Sequence, residues 1–335
     1  MYTTSVLIPS FGRAVTLQRC LQWLAFQSVM PDEVIVVWQG EDADTRDAAY
    51  SLRSVLSNRL RLVHSSRIGI VPAENAALEV ASGDIILLLD DDAIPPQDWL
   101  KCHLSHYDDP LIGAVGGPAD NFRPDGIEFP RRHNRPVGCL TWFGKIVGNM
   151  YDQDRSWRSL PSTEVDHLVG YNLSFRRCAL DRFEDGLKPY WQLFELDACL
   201  QAKARGYRIL FDFSNVVRHF PTNTVYAGGR DGDLNTKVYH AAFNHAFVLA
   251  KHSPLLLRAI RLLYLLAFGS VAAPGLIGFA LALWRYGRPA RELSILWTTW
   301  YFHVSGWRAG CMFRVKSSLC LPRVRIRPPK SRVQQ

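Results

Sequence analysis

Short apolar runs and stretches of helical period alternate along the first ninety residues. Val6-Leu7-Ile8 is followed by Leu17, Leu21, Leu24 and Ala25, spaced along one helix face. After the break at Pro31-Asp32 comes Val34-Ile35-Val36-Val37, a continuous β-branched run. Such a run predicts a strand buried on both faces of a parallel sheet. A further helical stretch leads to a third strand, Leu60-Arg61-Leu62-Val63. Residues 72–81 read as a helix stopped by Ser82-Gly83, and Ile85-Ile86-Leu87-Leu88-Leu89 runs straight into Asp90-Asp91-Asp92. Strand and helix alternating at this spacing predict parallel α/β structure with right-handed crossovers. Ligands of such sheets sit beyond the carboxyl ends of the strands, where the three aspartates fall.

Residues 93–225 are mixed. Pro95-Pro96 opens a short helix, Ala114-Val115-Gly116-Gly117 reads as a strand, and 120–165 is loop-rich. Residues 169–175 predict a strand, 196–204 a helix closed by Gly206, and 207–211 and 216–219 two more strands. Beyond Gly228-Gly229, a helix carrying Tyr239, Phe243, Phe247 and Leu249 leads to Lys251-His252-Ser253-Pro254. The stretch 262–283 then has 22 residues without a charge, enough to span a bilayer. Pro274-Gly275 in its middle would kink or break it, so three readings stand: one span, a re-entrant or interfacial helix pair, and a buried core helix. Trp284, Trp297, Trp300, Tyr301 and Trp307 suit an interface belt.

Charge changes the picture through its distribution. The net charge of +8 invites a nucleic-acid reading, yet 14 basic residues and one acid, Glu292, lie after position 250. The preceding body holds 25 basic and 30 acidic side chains, which disfavours a nucleic-acid surface. A basic, apolar tail fits anionic lipid instead. An apolar fraction of 48% excludes a mostly disordered chain. Seven cysteines with no CxxC pair indicate neither a zinc site nor a disulfide framework, so reduced thiols in the cytosol are expected. No secretory signal is expected ahead of the first strand.

Three aspartates at a strand end repel one another unless a cation intervenes. Mg²⁺ or Mn²⁺ takes hard oxygen ligands and bridges phosphate oxygens, so the run points to a metal-bound diphosphate. The plainer reading is a solvated acidic loop capping the helix near Pro95.

Several segments resemble family 2 glycosyltransferases. Val6-Leu7-Ile8-Pro9-Ser10-Phe11-Gly12-Arg13 is similar to the opening strand and loop of that family. Residues 83–92 resemble its strand into the DXD motif, and Gly170-Tyr171-Asn172-Leu173-Ser174-Phe175-Arg176-Arg177 its G-x-N-x-S-F-R-R segment. Asp197 to Gly206-Tyr207 and then His219 resemble its E-D-x-D-L…G-Y…H block. The motifs keep the family's order across about residues 5–220.

The resemblance implies an α/β GT-A fold with a Rossmann-like nucleotide-binding sheet, and the basic, apolar tail predicts a C-terminal helical, membrane-associated extension. The expected division is 1–225 for the GT-A domain (1–97 nucleotide-sugar half, 98–225 acceptor half), 226–320 for the helical region and 321–335 for a basic disordered tail. It implies an inverting, metal-assisted transfer of sugar from a nucleotide donor, UDP-, GDP- or dTDP-linked, to a glycan or lipid-linked acceptor on the cytoplasmic membrane face. Asp92 is the first metal ligand, with Asp90 and Asp91 completing the sphere or contacting ribose, and His219 a third ligand or phosphate contact. The catalytic-base position falls on Glu195, with Asp197 as alternative.

Pro9, Phe11, Arg13, Gln39 and Asn75 are implied nucleotide contacts. Trp38 either packs beneath the base or belongs to the core. Glu74 stands where the family has an arginine, a role Arg67 is placed to take over. Asn172, Ser174 and Arg176 are implied on the acceptor side. Arg177 and Arg230 are read as phosphate contacts or solvated residues, and Gly228-Gly229-Arg230 as a lid. The departures at Gln39, Glu74 and Phe194-Glu195 motivate a second reading, a non-catalytic nucleotide-sugar-binding subunit of a polysaccharide assembly complex. A nucleotidyltransferase ranks last, because Pro9 to Arg13 is not a Gly-rich basic loop.

Overall fold

In the computed structural model the described residues are 2–123, 125–131, 136–189, 193–222, 233–270, 273–286 and 289–320. The first apolar run forms β1 (Thr4–Ser10), buried along its whole length. Helix α1 (Ala14–Leu24) turns Leu17, Cys20, Leu21 and Leu24 onto it. β2 (Glu33–Gln39), α2 (Ala43–Ser51), the single turn α3 (Arg53–Leu56), β3 (Leu60–Ser65), α4 (Ile70–Val80) and β4 (Ile85–Leu88) follow. Asp42 caps α2 by accepting from the Thr45 N–H at 3.1 Å, satisfying a donor that a helix start leaves without a partner. Val6 pairs with both Val34 and Leu87, and Val36 with Leu62, all in parallel register.

The next elements are β5 (Ala93–Ile94), α5 (Trp99–Ser105), β6 (Ile112–Gly116), β7 (Ala119–Asn121), the hairpin β8 (Cys139–Leu140) and β9 (Ile146–Val147), and β10 (Thr163–Glu164). β11 (Leu173–Arg176), α6 (Phe194–Ala204), β12 (Arg208–Phe211) and β13 (Val217–His219) complete the body. One eight-stranded sheet runs β10-β12-β6-β11-β4-β1-β2-β3, and a small sheet runs β5-β13-β7.

The large sheet is mixed, not the parallel one the alternation predicts, because β11 lies antiparallel between β4 and β6. A strand covered on both faces shows the same apolar run in either direction, so its sense is invisible to the pattern. The expected strand over 169–175 also begins late: Gly170–Asn172 form a 3-10 turn before Leu173. Alternate residues of the central strands feed two cores. Leu7, Ile35, Ile86 and Leu88 pack with residues of α4 and α6 on one face; Val6, Ile8, Val34 and Leu87 pack with α1 and α5 on the other.

The last layer is helical: α7 (Leu234–His252), α8 (Leu255–Ala267), α9 (Leu276–Tyr286) and α10 (Pro289–Cys320). The uncharged 262–283 stretch is divided between α8 and α9, which corrects the single-span expectation. Gly269 sits at φ +66°, and a Cβ at Gly275 would lie 2.6 Å from the Ala267 carbonyl carbon. Among the described residues no helix is long and apolar enough to cross a membrane. Helices α7 and α10 approach closely through Gly306 and Gly310, whose added Cβ atoms would each stand 2.3 Å from the carbonyl oxygens of Phe243 and Phe247. Such one-turn spacing of small residues lets helix backbones touch. Gly306→Val is therefore expected to cost about 2 kcal/mol or more, read as a lower urea midpoint. A variant of parental stability would contradict this packing. The basic segment 321–335 and the Gly228-Gly229-Arg230 loop lie outside the described residues.

Candidate active site

The carboxyl ends of β1, β2 and β4 open into a cavity of about 900 Å³. Pro9, Phe11 and Arg13 follow β1, Gln39 ends β2, and Asp90, Asp91 and Asp92 follow β4. Gly170, Tyr171 and Glu195 line the same cavity, as do Leu193, Tyr264 and Phe268.

Strand register brings His219 to the aspartates across 127 positions of chain. Antiparallel pairing with β5 sets His219 against Ala93, and parallel pairing with β7 sets it against Asn121. Its Nδ1 donates to Asn121 Oδ1 at 2.8 Å, which turns Nε2 to the carboxylates, a donor to Asp92 when the ring is protonated and a lone pair for a cation when it is neutral. Nε2 stands 3.1 Å from Asp92 Oδ1 and 3.8 Å from Asp90 Oδ2. Asp92 is 3% exposed, and its Oδ1 has no hydrogen-bond partner among the described residues. One ligand atom from each of Asp90, Asp92 and His219 falls within 4.8 Å of the others. Three electron-pair donors converging on one point, one of them a buried orphan, fit a divalent cation. Two carboxylates with an imidazole suit Mn²⁺ well, since imidazole is softer than the oxygen set Mg²⁺ prefers. Asn121 fixes the ring as outer partners of metal-bound histidines do.

Burial pushes the Asp92 carboxyl up, but His219, Arg13 and the Thr222 N–H outweigh it and hold it at about 2. Asp91 is engaged differently, since Ser10 Oγ donates to it at 2.5 Å and Arg13 Nη1 at 2.8 Å. Those bonds tie Asp91 to Ser10 and anchor Arg13 at the cavity edge. Asp92→Ala is expected to weaken Mn²⁺ binding by on the order of 100-fold, read by calorimetry or by paramagnetic relaxation. Undiminished binding would remove the triad from consideration.

Glu195 stands in the first turn of α6, after Leu193 in the left-handed conformation at φ 54°. Its Oε1 accepts from the Gly170 N–H at 3.2 Å. A side chain at Gly170 would crowd this carboxylate, since an added Cβ stands 3.3 Å from Oε1. Desolvation raises the Glu195 pKa to about 7, with the Asp90 charge adding to it and backbone N–H groups opposing. A carboxyl poised near neutrality in a cavity wall is suited to take a proton.

The structure corrects several sequence-derived assignments. Asp197 does not face the cavity: it is fully buried, with Lys251 Nζ at 2.8 Å and His252 Nε2 at 2.7 Å. Desolvation pushes it up, but those two partners hold it at about 2. Asn75 is buried in a tie to the 183–185 loop, donating to Phe183 O at 3.0 Å and accepting from Phe183 N at 3.0 Å.

The three residues assigned to the acceptor are core hydrogen-bonders. Asn172 Oδ1 accepts from Trp99 Nε1 at 2.8 Å, and Ser174 Oγ meets His103 Nδ1 and Tyr107 OH, each at 2.9 Å. Arg176 donates to Ile112 O at 3.1 Å and Tyr107 O at 2.9 Å. None of the three lines the cavity: Asn172 ends the 3-10 turn before β11, and Ser174 and Arg176 lie on that strand. Arg177 likewise donates to Leu78 O at 3.0 Å.

Gln39 lines the cavity, yet its amide first serves the backbone, donating to Ser10 O at 3.2 Å and accepting from Gly69 N at 2.7 Å. One amide hydrogen and one lone pair remain. Trp38 stacks on His64 at 4.1 Å between ring centroids and does not line the cavity. Arg67 is exposed and also off the cavity. Glu74 is buried with Oε2 unpartnered, and desolvation, then Asp90 and Glu195, keep its pKa well above the ordinary range. Sequence reasoning missed Asn121, Lys145 and Thr222, whose types carry no signal until the sheet and the β8–β9 hairpin bring them to the site. Lys145 joins Arg13 on the cavity wall.

The fold, a large mixed sheet with the site at its strand ends, defines an α/β protein of the GT-A type. The family model described as Glycosyl transferase family 2 matches residues 5–181, and the chain belongs to that family. Over 132 residues it is 31% identical to Glycosyltransferase AglE of Haloferax volcanii, covering 39% of this chain and 43% of that protein. It is 23% identical over 205 residues to a dolichyl N-acetyl-alpha-D-glucosaminyl phosphate 3-beta-D-2,3-diacetamido-2,3-dideoxy-beta-D-glucuronosyltransferase of Methanococcus voltae, covering 56% of this chain and 63% of that protein. The matches thus span less than two thirds of either relative. Among solved structures, S. aureus TarS 1–349 with UDP-GlcNAc aligns with a TM-score of 0.57 at 14% identity, over 94% of this chain and 92% of that one. A mannosyltransferase from Pyrobaculum calidifontis with GDP-Man and Mn2+ aligns at 0.51 and 18% identity, over 93% and 87%. At these identities the likeness is one of fold: mixed α/β around a large central sheet.

Proposed function

We propose that this protein transfers a glycosyl group from a nucleotide-sugar donor to an acceptor hydroxyl, with inversion at the anomeric carbon. The observation that carries the reading is the opening of the Asp90–Asp92–His219 cluster and Glu195 into one cavity. Asp90, Asp92 and His219 would hold Mn²⁺ or Mg²⁺, which neutralises the diphosphate as it departs. Arg13 and Lys145 add positive charge to the cavity lining.

Glu195 accepts the proton of the acceptor hydroxyl as its oxygen bonds to the anomeric carbon. The bond from that carbon to the diphosphate oxygen breaks, and nucleoside diphosphate leaves from the opposite face. Of the described carboxylates lining the cavity, Asp90 and Asp92 belong to the cation cluster and Asp91 to Arg13 and Ser10. Glu195 then acts as base, with no further carboxylate there to form a covalent sugar intermediate. That supports a single displacement, hence inversion.

Donors linked to UDP, GDP or dTDP are within the proposal; solved relatives of this fold hold GDP-Man and UDP-GlcNAc. The acceptor is read as a glycan or a lipid-linked sugar, a reading supported by the dolichyl-linked name of the Methanococcus voltae relative. A peripheral location on the cytoplasmic membrane face is part of the same proposal, supported by the 14 basic residues and one acid after position 250.

The test is a screen of UDP-, GDP- and dTDP-sugars with Mn²⁺ or Mg²⁺, read by release of nucleoside diphosphate. Turnover of one donor, abolished by chelation, is expected. Cation-dependent nucleotide binding without turnover of any donor would favour a non-catalytic binding subunit instead.

A further inference from the structure

The helices after Pro254 present an inverted surface. In α8 the outward residues are Leu255, Leu256, Ala259, Ile260 and Leu263, whereas Arg261 and Leu265 are buried. Helix α9 repeats the arrangement with Leu276, Ile277, Ala280, Leu281 and Trp284 outward and Phe279 buried. Both sets fall at i, i+1, i+4, i+5 and i+8, which is a single side of each helix. Neither side carries a charge, and the two helices touch. Helix α8 thus keeps an arginine inside, donating to Trp142 O and Ser253 Oγ, while its leucines face out. Exposed apolar surface of this kind marks an interaction face.

The same helix reaches the active cavity. Tyr264 and Phe268 line it, as do Gly269 and Ser270 in the turn that follows. Phe268 is also 53% exposed, so the cavity wall and the outward apolar surface meet at this residue. Leu193, Phe194, Ile146 and Leu168 line the cavity too and belong to one apolar cluster, with Lys145, His167 and His245 among the polar lining. A diphosphate and a sugar find charged and polar partners at Asp90–Asp92 and His219. An apolar chain finds its match among the apolar lining residues.

We propose that the outward sides of α8 and α9 rest in the surface of an anionic bilayer. We further propose that the acceptor is an amphiphile drawn from that bilayer, its apolar chain passing Phe268 and Tyr264 and its hydroxyl-bearing head reaching Glu195. The occupant is lipid, because the chain beyond position 250 combines these faces with 14 basic residues, of which Lys251 and Arg261 are turned inward, and a single acid, Glu292. That pairing of apolar contact with positive charge fits an anionic lipid surface. The acceptor half of the inference rests on Glu195 as base; the membrane half does not.

Two readouts test it on the full chain without any sugar donor. Flotation with phosphatidylcholine vesicles, with and without phosphatidylglycerol, is expected to show binding that requires the anionic lipid and weakens with salt. The triple variant Leu256→Glu, Leu263→Glu, Leu281→Glu is expected to bind on the order of 100-fold more weakly. Its Mn²⁺-dependent affinity for UDP or GDP, whichever the parent binds, should be unchanged, which certifies folding. Equal flotation of parent and variant overturns the membrane face. So does a parental dimer that the variant breaks, with no flotation, which would make the face a contact between copies.

In the second readout, a diazirine-bearing dodecanol is presented in the same vesicles. After illumination, label is expected at Tyr264–Ser270 and Leu193–Leu196. Label confined to the outward residues of α8 and α9 overturns the acceptor route. Failure of every donor to turn over would sink the catalytic reading while leaving both results to be judged on their own.

Discussion

A Glu195→Gln variant is expected to lose about 10³-fold in kcat while keeping whatever affinity the parent has for nucleoside diphosphate and Mn²⁺. The amide keeps the shape, and its oxygen can still accept from Gly170 N, as the carboxylate does at 3.2 Å. What it lacks is the capacity to take a proton. In the parent the basic form must be present, so kcat/KM rises with pH through the Glu195 pKa of about 7 and levels off above it. A cation beside Asp90 offsets the charge that helps raise this pKa, so saturating metal shifts the rising limb towards lower pH. The variant has no such limb.

Stability runs the other way. Because the folded pKa is raised above the ordinary carboxylate value, folding is favoured where Glu195 is protonated and loses that contribution as pH rises through about 7. Above neutrality Glu195→Gln should therefore melt at a higher temperature than the parent. Full activity in the variant, with the limb intact, would put the base elsewhere.

Asp197→Ala has its largest effect on folding, costing about 3–5 kcal/mol because it strands the Lys251 ammonium and leaves His252 Nε2 without this partner. Lys251 is only 10% exposed, and its remaining anionic contact is Glu184 Oε2 at 2.9 Å. The network clamps the first turn of α6 to the C-terminal end of α7, two residues from Glu195. With the Asp197 pKa held at about 2, its contribution is complete above the unfolded carboxylate pKa of about 4 and disappears as pH falls towards 2. Urea titrations at several pH values should show this acid limb in the parent and not in the variant. Folded Asp197→Ala retains turnover and the pH limb near 7. A stable variant without turnover would return Asp197 to the chemistry.

The contrast between these two acids shows how far the chain can be read. Both fall in one helical turn of the same resembling segment, and both are plausible bases by type. They are separated by facing: Glu195 meets Gly170 and the cavity, whereas Asp197 meets a lysine and a histidine more than fifty positions later. The same ambiguity covers Asn75, Asn172, Ser174 and Arg176. A polar residue in an apolar run is either a ligand contact or a satisfied core group, and its partner decides which. For Asn75 that partner, Phe183, lies 108 positions away.

The sequence by itself determined β1 to β4, their parallel order of succession and the acidic end of β4. Those features depend on local periodicity and on burial of both sheet faces, which each segment carries within itself. It also showed the break at Pro274-Gly275, a backbone property of those residues. Only the tertiary structure decided the sense of β11, the delivery of His219 to Asp92 by pairing with β5 and β7, and the turning of the α8 leucines outward. Each of these depends on which distant segment lies alongside, and a helix or strand pattern is the same whichever neighbour covers it.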